Sequence, residues 1–185
     1  MTTHFFMGEK MADLLEMKFY RVDTNYLNNL RLIDNRVPLN KEYIGSSKRT
    51  RPYIGIMLVI DGIDYLVPLT SKTQRRTSYV NMPIFDKNNK KIAYLLINNM
   101  IPVPESYRTP INMEGILSTD PAYYDLLMNE INDLRPKKET IKKRCDDVRA
   151  VKVKGEVREA INDKTADYCL NLIELEKIYI CNSKK

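Results

Sequence analysis

The apolar positions of the first hundred residues predict a strand, a helix and two hairpins. Residues 18–22 form a short apolar stretch, and residues 24–34 then carry apolar side chains at helical spacing. A strong apolar run covers 52–60, and the turn signal Asp61-Gly62 leads into its partner strand at 63–69. A second hairpin is predicted from 82–85 and 91–97, around Asn88-Asn89, and a short strand from 100–103. We therefore expect antiparallel pairing of neighbouring segments, as in a meander.

After residue 110 the pattern becomes helical. A helix is predicted over 121–134, with Pro136 ending it, and a basic helix over 137–154, ending near Gly155. Residues 156–180 are expected to be helical in one or two pieces. Four apolar residues recur on one side of this last segment and are expected to pack on the sheet: Tyr168, Leu172, Leu175 and Tyr179.

This order of elements predicts an α+β fold, in which a twisted antiparallel β-sheet core is surrounded by α-helices. The 185 residues suit one domain, which we place at residues 17–182. Residues 1–16 then form an N-terminal extension or reflect an alternative start, since Met7, Met11 and Met17 all suit initiation. No apolar run is long enough to cross a membrane and no signal-peptide pattern occurs, so we expect a cytoplasmic protein.

Charge is concentrated in two basic blocks within a chain of net charge +6. Residues 36–76 contain eight basic and three acidic residues, and residues 135–158 contain ten basic and four acidic residues. The stretch 100–134 between them holds six acids and only Arg108 as a base. Such blocks are typical of a basic stripe that binds nucleic acid, and equally of solvated helix and loop faces.

Histidine and cysteine content excludes several classes of site. The single histidine, His4, lies in the extension, which rules out catalysis by a histidine pair, a Ser-His-Asp triad or a histidine-rich metal site. The three cysteines, Cys145, Cys169 and Cys181, fit no zinc spacing and are expected to be reduced thiols. We therefore expect no metal site and no cofactor.

Candidate chemistry follows the first hairpin, where Thr70, Ser71 and Lys72 stand at the end of a strand. RNA carries its own nucleophile, the 2′-hydroxyl, so an enzyme need only align it, move protons and neutralise charge at phosphorus. Lys72 can supply charge and a proton, and the two hydroxyls can hydrogen-bond phosphate oxygens. Taken alone, such a cluster is usually a polar turn. Tyr43 can stack on a base or share in proton transfer. Basic residues near the cluster or on the basic helix are candidates for binding RNA: Lys48, Arg49, Arg51, Arg75, Arg76, Lys142, Lys143 and Arg144.

Two motifs resemble those of the ToxN/AbiQ family. They are Arg-Pro-Tyr-Ile-Gly-Ile at residues 51–56 and Tyr-Leu-Val-Pro-Leu-Thr-Ser-Lys at residues 65–72. The start Met-Lys-Phe-Tyr at 17–20 and the order of the following elements are also similar to the family pattern, with CptN as the suggested type within it. The resemblance extends over roughly residues 17–179.

The resemblance implies an endoribonuclease toxin of a type III toxin–antitoxin system. Family members are metal-independent, have a Kid/MazF-like sheet, and act in abortive infection or plasmid maintenance. A small repeated RNA, folded as a pseudoknot, inhibits them and assembles with them into closed rings. The family's active-site hydroxyls and lysine fall on Thr70, Ser71 and Lys72, its loop tyrosine on Tyr43 and its basic residue before the strand on Arg51. One departure is that Lys72 follows Ser71 directly, whereas some members place one residue between them.

Two other functions agree with the same basic composition. A noncatalytic RNA-binding module would share the basic surfaces without needing the hydroxyl–lysine cluster. A protein-interaction domain that is basic by coincidence would bind RNA negligibly even at low salt.

Overall fold

The computed structural model describes residues 17–39 and 54–183. Residues 1–16, the expected extension, lie outside the described residues, so the boundaries of the domain stay a prediction. Seven strands lie in these two ranges: β1 (Phe19–Val22), β2 (Ile54–Ile60), β3 (Ile63–Thr70), β4 (Asn81–Phe85), β5 (Lys91–Leu96), β6 (Ile101–Pro102) and β7 (Arg108–Pro110). The described residues also form six α-helices, which are α1 (Thr24–Ile33), α2 (Met113–Thr119), α3 (Pro121–Leu134), α4 (Lys138–Lys154), α5 (Asp163–Tyr168) and α6 (Leu172–Ser183).

The strands form one antiparallel sheet in the order β4-β5-β3-β2-β1-β7, with β6 also paired to β3. The expected α+β class is confirmed, but the expected meander is wrong. The second hairpin attaches through β5, at the end of β3 where Leu69 and Thr70 pair with Leu95 and Tyr94. The hairpin partner β2 pairs with the preceding residues of β3, from Ile63 to Pro68, so β3 changes its partner from β2 to β5 near its end.

Local sequence signals explain where these elements begin and turn. The β2–β3 turn has positive φ at both Asp61 and Gly62, as a type I′ hairpin requires. The Asp23 side chain caps α1 by accepting from the Tyr26 amide at 2.9 Å. Gly155 ends α4 in the left-handed conformation, with φ of 65°.

The helices cover an apolar core, and a buried charge network joins three elements beneath them. The Arg149 guanidinium on α4 pairs with Glu176 on α6, with Nε–Oε1 and Nη2–Oε2 distances of 2.9 Å. Its Nη1 also reaches Asp61 Oδ2 at 2.7 Å in the β2–β3 turn. The buried Tyr65 hydroxyl of β3 donates to Glu176. This network fixes α4 and α6 against the start of β3.

Several predicted details of the helices are wrong. Residues 156–162 are not helical but include a bridge between Arg158 and Ile161, and the helix begins only at α5. Tyr168 is 62% exposed, whereas Leu172, Leu175 and Tyr179 are buried as expected. The short elements α2 and β7 were not predicted. No helix among the described residues is long and apolar enough to span a membrane.

Candidate active site

The candidate catalytic residues lie at the end of β3 and in the β3–β4 loop, residues 71–80. Thr70 is half-buried as the last residue of β3, and Ser71 and Lys72 directly after it are exposed. The Lys72 amide lies 3.4 Å from Thr70 Oγ1, a weak contact between the loop and the strand end. The cluster is therefore open to solvent on a rigid strand, a placement suited to binding a large substrate.

Arg75 and Arg76 lie in the same loop and are exposed. Because Arg75 and Arg76 follow Lys72 closely in sequence, the loop carries three cationic side chains near the hydroxyls of Thr70 and Ser71. Guanidinium groups can hold phosphates through paired donors, while a lysine acts as a point charge. This set can neutralise charge on a transferring phosphoryl group and hold the flanking phosphates.

The fold places Tyr94 of β5 beneath this loop. Tyr94 is the cross-strand partner of Thr70 and is fully buried. Its hydroxyl donates to the Arg75 carbonyl oxygen at 2.6 Å, lies 3.2 Å from Thr77 Oγ1 and accepts from Lys91 Nζ at 3.0 Å. The hydrogen bonds with Thr77 and Lys91 lower the pKa of Tyr94 below its usual value. The middle of the loop is thus attached to the sheet.

Tyr79, near the end of the same loop, attaches it to the basic helix α4. Its hydroxyl donates to Asp147 Oδ2 at 2.5 Å, and its backbone carbonyl accepts from Arg144 Nη1 at 3.2 Å. The Arg144 guanidinium stacks 4.9 Å from the Tyr79 ring centre. Lys143 Nζ lies 2.8 Å from Asp147 Oδ2 and 3.4 Å from the Tyr79 hydroxyl. Two of the predicted RNA-binding residues therefore lie against the loop that carries Arg75 and Arg76.

The pKa values of both Tyr79 and Lys143 are raised where these residues contact Asp147. Burial raises the pKa of the Tyr79 hydroxyl, and the hydrogen bond to Asp147 raises it further. The hydrogen bond to Asp147 raises the pKa of Lys143, which keeps this ammonium charged. The Lys143 side chain is 72% exposed even so, which leaves it accessible to a phosphate.

Lys142 does not join the cluster. It faces a cleft of about 220 Å³ that is lined by β2, the β2–β3 turn and the second half of α4, together with Asp61, Asp146 and Lys154. The turn lies at the beginning of β3, roughly 23 Å of strand away from Thr70. The three adjacent basic residues of α4 thus divide between two sites, because successive residues of a helix point in different directions.

The remaining predicted residues, Tyr43, Lys48, Arg49 and Arg51, lie outside the described residues. Tyr94 and Lys91 were not predicted as site residues. Their strand reads as a continuous apolar run, in which an inward tyrosine resembles any core aromatic. The cross-strand register with Thr70 is the feature that reveals them, and it depends on pairing that sequence periodicity does not specify.

Neither metal ligands nor paired cysteines form a site in the described part of the chain. Among residues 17–39 and 54–183, no three His, Cys, Asp or Glu residues are grouped so that they could hold a metal ion. Cys145 and Cys169 are buried free thiols, and Cys181 is an exposed one.

Comparison with known proteins identifies a family match over most of the chain. The sequence model described as "Toxin ToxN, type III toxin-antitoxin system" matches residues 18–180. Endoribonuclease ToxN of Bacillus thuringiensis subsp. kurstaki is 40% identical over 114 residues, which cover 61% of this chain and 57% of that protein. The aligned segment thus spans less than two thirds of this relative's length.

Solved structures also share the fold of this chain. One, from work on type III systems that describes selective toxin inhibition by a non-coding RNA pseudoknot, superposes with a TM-score of 0.79 at 31% identity. The superposition covers 92% of this chain and 99% of the chain in the solved structure. AbiQ, described as a lactococcal anti-phage endoribonuclease, superposes with a TM-score of 0.72 at 22% identity, covering 91% of this chain and 99% of its own. At that identity the second comparison shows the fold alone.

Proposed function

Because this chain belongs to the ToxN family of type III toxin–antitoxin toxins, we propose that it is an endoribonuclease toxin that an RNA antitoxin inhibits. The observation that carries the proposal is the end of β3, where the half-buried Thr70 is followed by the exposed Ser71 and Lys72 and by two exposed loop arginines. The relatives named as endoribonucleases support the same activity.

The proposed reaction uses the 2′-hydroxyl of the substrate as the nucleophile. The 2′-hydroxyl loses its proton to solvent as its oxygen attacks the adjacent phosphorus. The bond to the 5′-oxygen of the next nucleotide breaks, and the products carry a 2′,3′-cyclic phosphate and a 5′-hydroxyl. Lys72 neutralises the charge that develops on the phosphoryl oxygens and is a source of the proton for the leaving oxygen. Thr70 and Ser71 hydrogen-bond those oxygens. Since the ribose supplies the nucleophile, we propose that cleavage is independent of metal ions and cofactors.

The surface around the site suits the rest of an RNA strand. Arg75, Arg76 and Lys143 present exposed cations around the β3–β4 loop, and Arg144 is held beside them by Tyr79. Cations spaced along one surface bind successive phosphates without reading the bases. Tyr43, Lys48, Arg49 and Arg51 are proposed to extend this surface, and Tyr43 to stack on a base or assist proton transfer.

The proposed partner is a small repeated RNA that folds as a pseudoknot and assembles with the toxin into a closed ring. Its support is the similarity to a solved structure described in terms of selective toxin inhibition by a non-coding RNA pseudoknot. We further propose a role in phage abortive infection or plasmid maintenance and a cytoplasmic site of action, where the RNA substrates are. A relationship of the antiparallel sheet to that of the Kid/MazF toxins is also proposed, and superposition on those toxins tests it.

Substitution of Lys72 tests the catalytic assignment. Lys72→Ala is expected to lower the cleavage rate of total bacterial RNA at least a hundredfold and to relieve growth arrest on expression. The matched control is Lys164→Ala, which removes an exposed lysine from α5 on another part of the fold. Both variants should unfold at the wild-type temperature. Full activity of Lys72→Ala, or an equal loss in both variants, would show that the site is misplaced.

Analysis of the product ends separates the enzyme from the noncatalytic RNA-binding module. Fragments with 2′,3′-cyclic phosphate and 5′-hydroxyl ends support the enzyme. RNA that is bound tightly in low salt and recovered intact supports the module, and negligible binding in low salt supports the protein-interaction domain.

A further inference from the structure

The β3–β4 loop carries exposed groups on a segment that is attached to the sheet at few points. Ser71, Lys72, Arg75 and Arg76 are all exposed. A catalytic group misplaced by about 1 Å can lose a hundredfold in rate. The loop backbone therefore needs an anchor if these groups are to meet the same phosphate.

Tyr94 has the contacts of such an anchor. Its hydroxyl has one proton to donate and two lone pairs that accept. The proton goes to the Arg75 carbonyl oxygen at 2.6 Å, while Lys91 Nζ at 3.0 Å and Thr77 Oγ1 at 3.2 Å complete the set. Two of these three partners are in the loop, and the third, Lys91, lies three residues before Tyr94 on β5.

The surroundings of Tyr94 are partly polar. The residue is fully buried, yet the apolar core cluster of the described residues leaves it out. The Lys91 ammonium lies 5.2 Å from the ring centre and closes one side of the ring. As the cross-strand partner of Thr70, Tyr94 also lies on the same face of the sheet as that hydroxyl. The Tyr94 side chain thus contacts the loop, and the Tyr94 backbone pairs with the end of β3.

We propose that Tyr94 is a positioning residue for RNA cleavage, whose hydroxyl holds the β3–β4 loop so that Ser71 and Lys72 face one phosphate. It does not touch the substrate, and it acts through the backbone of Arg75. The inference rests on the proposed function, and it assigns to β5 a role in a site otherwise built from β3 and its loop.

Tyr94→Phe tests the proposal, because it removes the hydroxyl and keeps the ring. The substrate probe is an RNA oligonucleotide spanning the main cut site that the wild-type protein makes in total bacterial RNA. We expect the cleavage rate at saturating RNA to fall between tenfold and a hundredfold. The KM should change less than twofold, because the exposed cations that bind the strand remain in place. Thermal unfolding should be nearly unchanged.

The matched control is Tyr107→Phe, which removes a tyrosine hydroxyl that hydrogen-bonds Asn182 Oδ1 at 3.0 Å, away from the loop. It should cleave at the wild-type rate. Thr77→Val, which removes one partner of Tyr94, should slow cleavage about threefold and provides the test if Tyr94→Phe fails to fold.

The outcomes separate the inference from the function beneath it. A wild-type protein that cleaves RNA, together with a Tyr94→Phe variant that cleaves equally fast, overturns the positioning role and leaves the proposed function intact. The same holds if Tyr107→Phe slows cleavage as much as Tyr94→Phe. If the wild-type protein leaves RNA intact, the proposed function fails and the inference with it.

Discussion

The buried ion pair between Arg149 and Glu176 yields the sharpest stability prediction. Both side chains are 9% exposed and meet through two hydrogen bonds of 2.9 Å. Glu176→Gln keeps the shape of the side chain but leaves the guanidinium without its buried counter-charge. Removing one partner of a buried pair costs about 3–5 kcal/mol. Asp61 still contacts the guanidinium at 2.7 Å, but its side chain is 54% exposed and compensates only in part. We therefore expect a loss of about 3 kcal/mol.

Urea denaturation followed by circular dichroism measures this loss. For a chain of this length, about 3 kcal/mol corresponds to a fall of about 6–12 °C in Tm. Glu174→Gln, two residues earlier on α6, is the matched control, because Glu174 pairs with Lys177 at 2.7 Å on the exposed face. That surface pair should contribute less than about 1 kcal/mol. Equal losses in the two variants would refute the view that the buried network fixes α4 and α6 against the sheet.

Three further predictions concern other parts of the fold. Gly55→Ala should destabilise the protein by about 1–3 kcal/mol in the same assay, because an added Cβ would lie 2.4 Å from Leu66 Cδ2; wild-type stability would refute the tight β2–β3 contact. The hydrogen bond from Arg36 lowers the pKa of Asp34 to about 2, so this carboxylate stabilises the fold above pH 4 and loses that contribution as pH falls from 4 to 2. Asp34→Asn should therefore lose about 2 kcal/mol at pH 7 and be less sensitive to acid in that window, and an unchanged acid titration would contradict the assignment. A thiol reagent should label Cys181 in the native protein and the two buried cysteines only after unfolding; labelling of all three at one rate would contradict the packing.

The parts of the fold that sequence predicted correctly are those with local signals. Asp61-Gly62 predicts a hairpin because both residues adopt positive φ readily, and both do so here. Pro121 and Gly155 likewise mark helix ends that the structure confirms. The family resemblance is confirmed by the match over residues 18–180. Each of the turn and helix-end signals depends on a few adjacent residues.

The parts that were missed depend on contacts distant in sequence. β7 is three residues long, contains Pro110 and exists through pairing with β1, about ninety residues earlier. Tyr94 becomes part of the site only because β5 pairs with the end of β3. Residues 156–162 have helical composition, but the bridge at Arg158 holds them in another conformation. Periodicity carries no information on which strand meets which, so these features required the structure.

The central claim is that the substrate's own ribose oxygen attacks at a site built from Thr70, Ser71 and Lys72. The most direct measurement uses two RNA oligonucleotides that differ only by a single 2′-deoxy substitution at the cut position, incubated with the purified protein in EDTA. The account predicts rapid cleavage of the all-ribose strand and none of the substituted strand at that position. Cleavage of both at the same rate, or loss of all cleavage in EDTA, would contradict it.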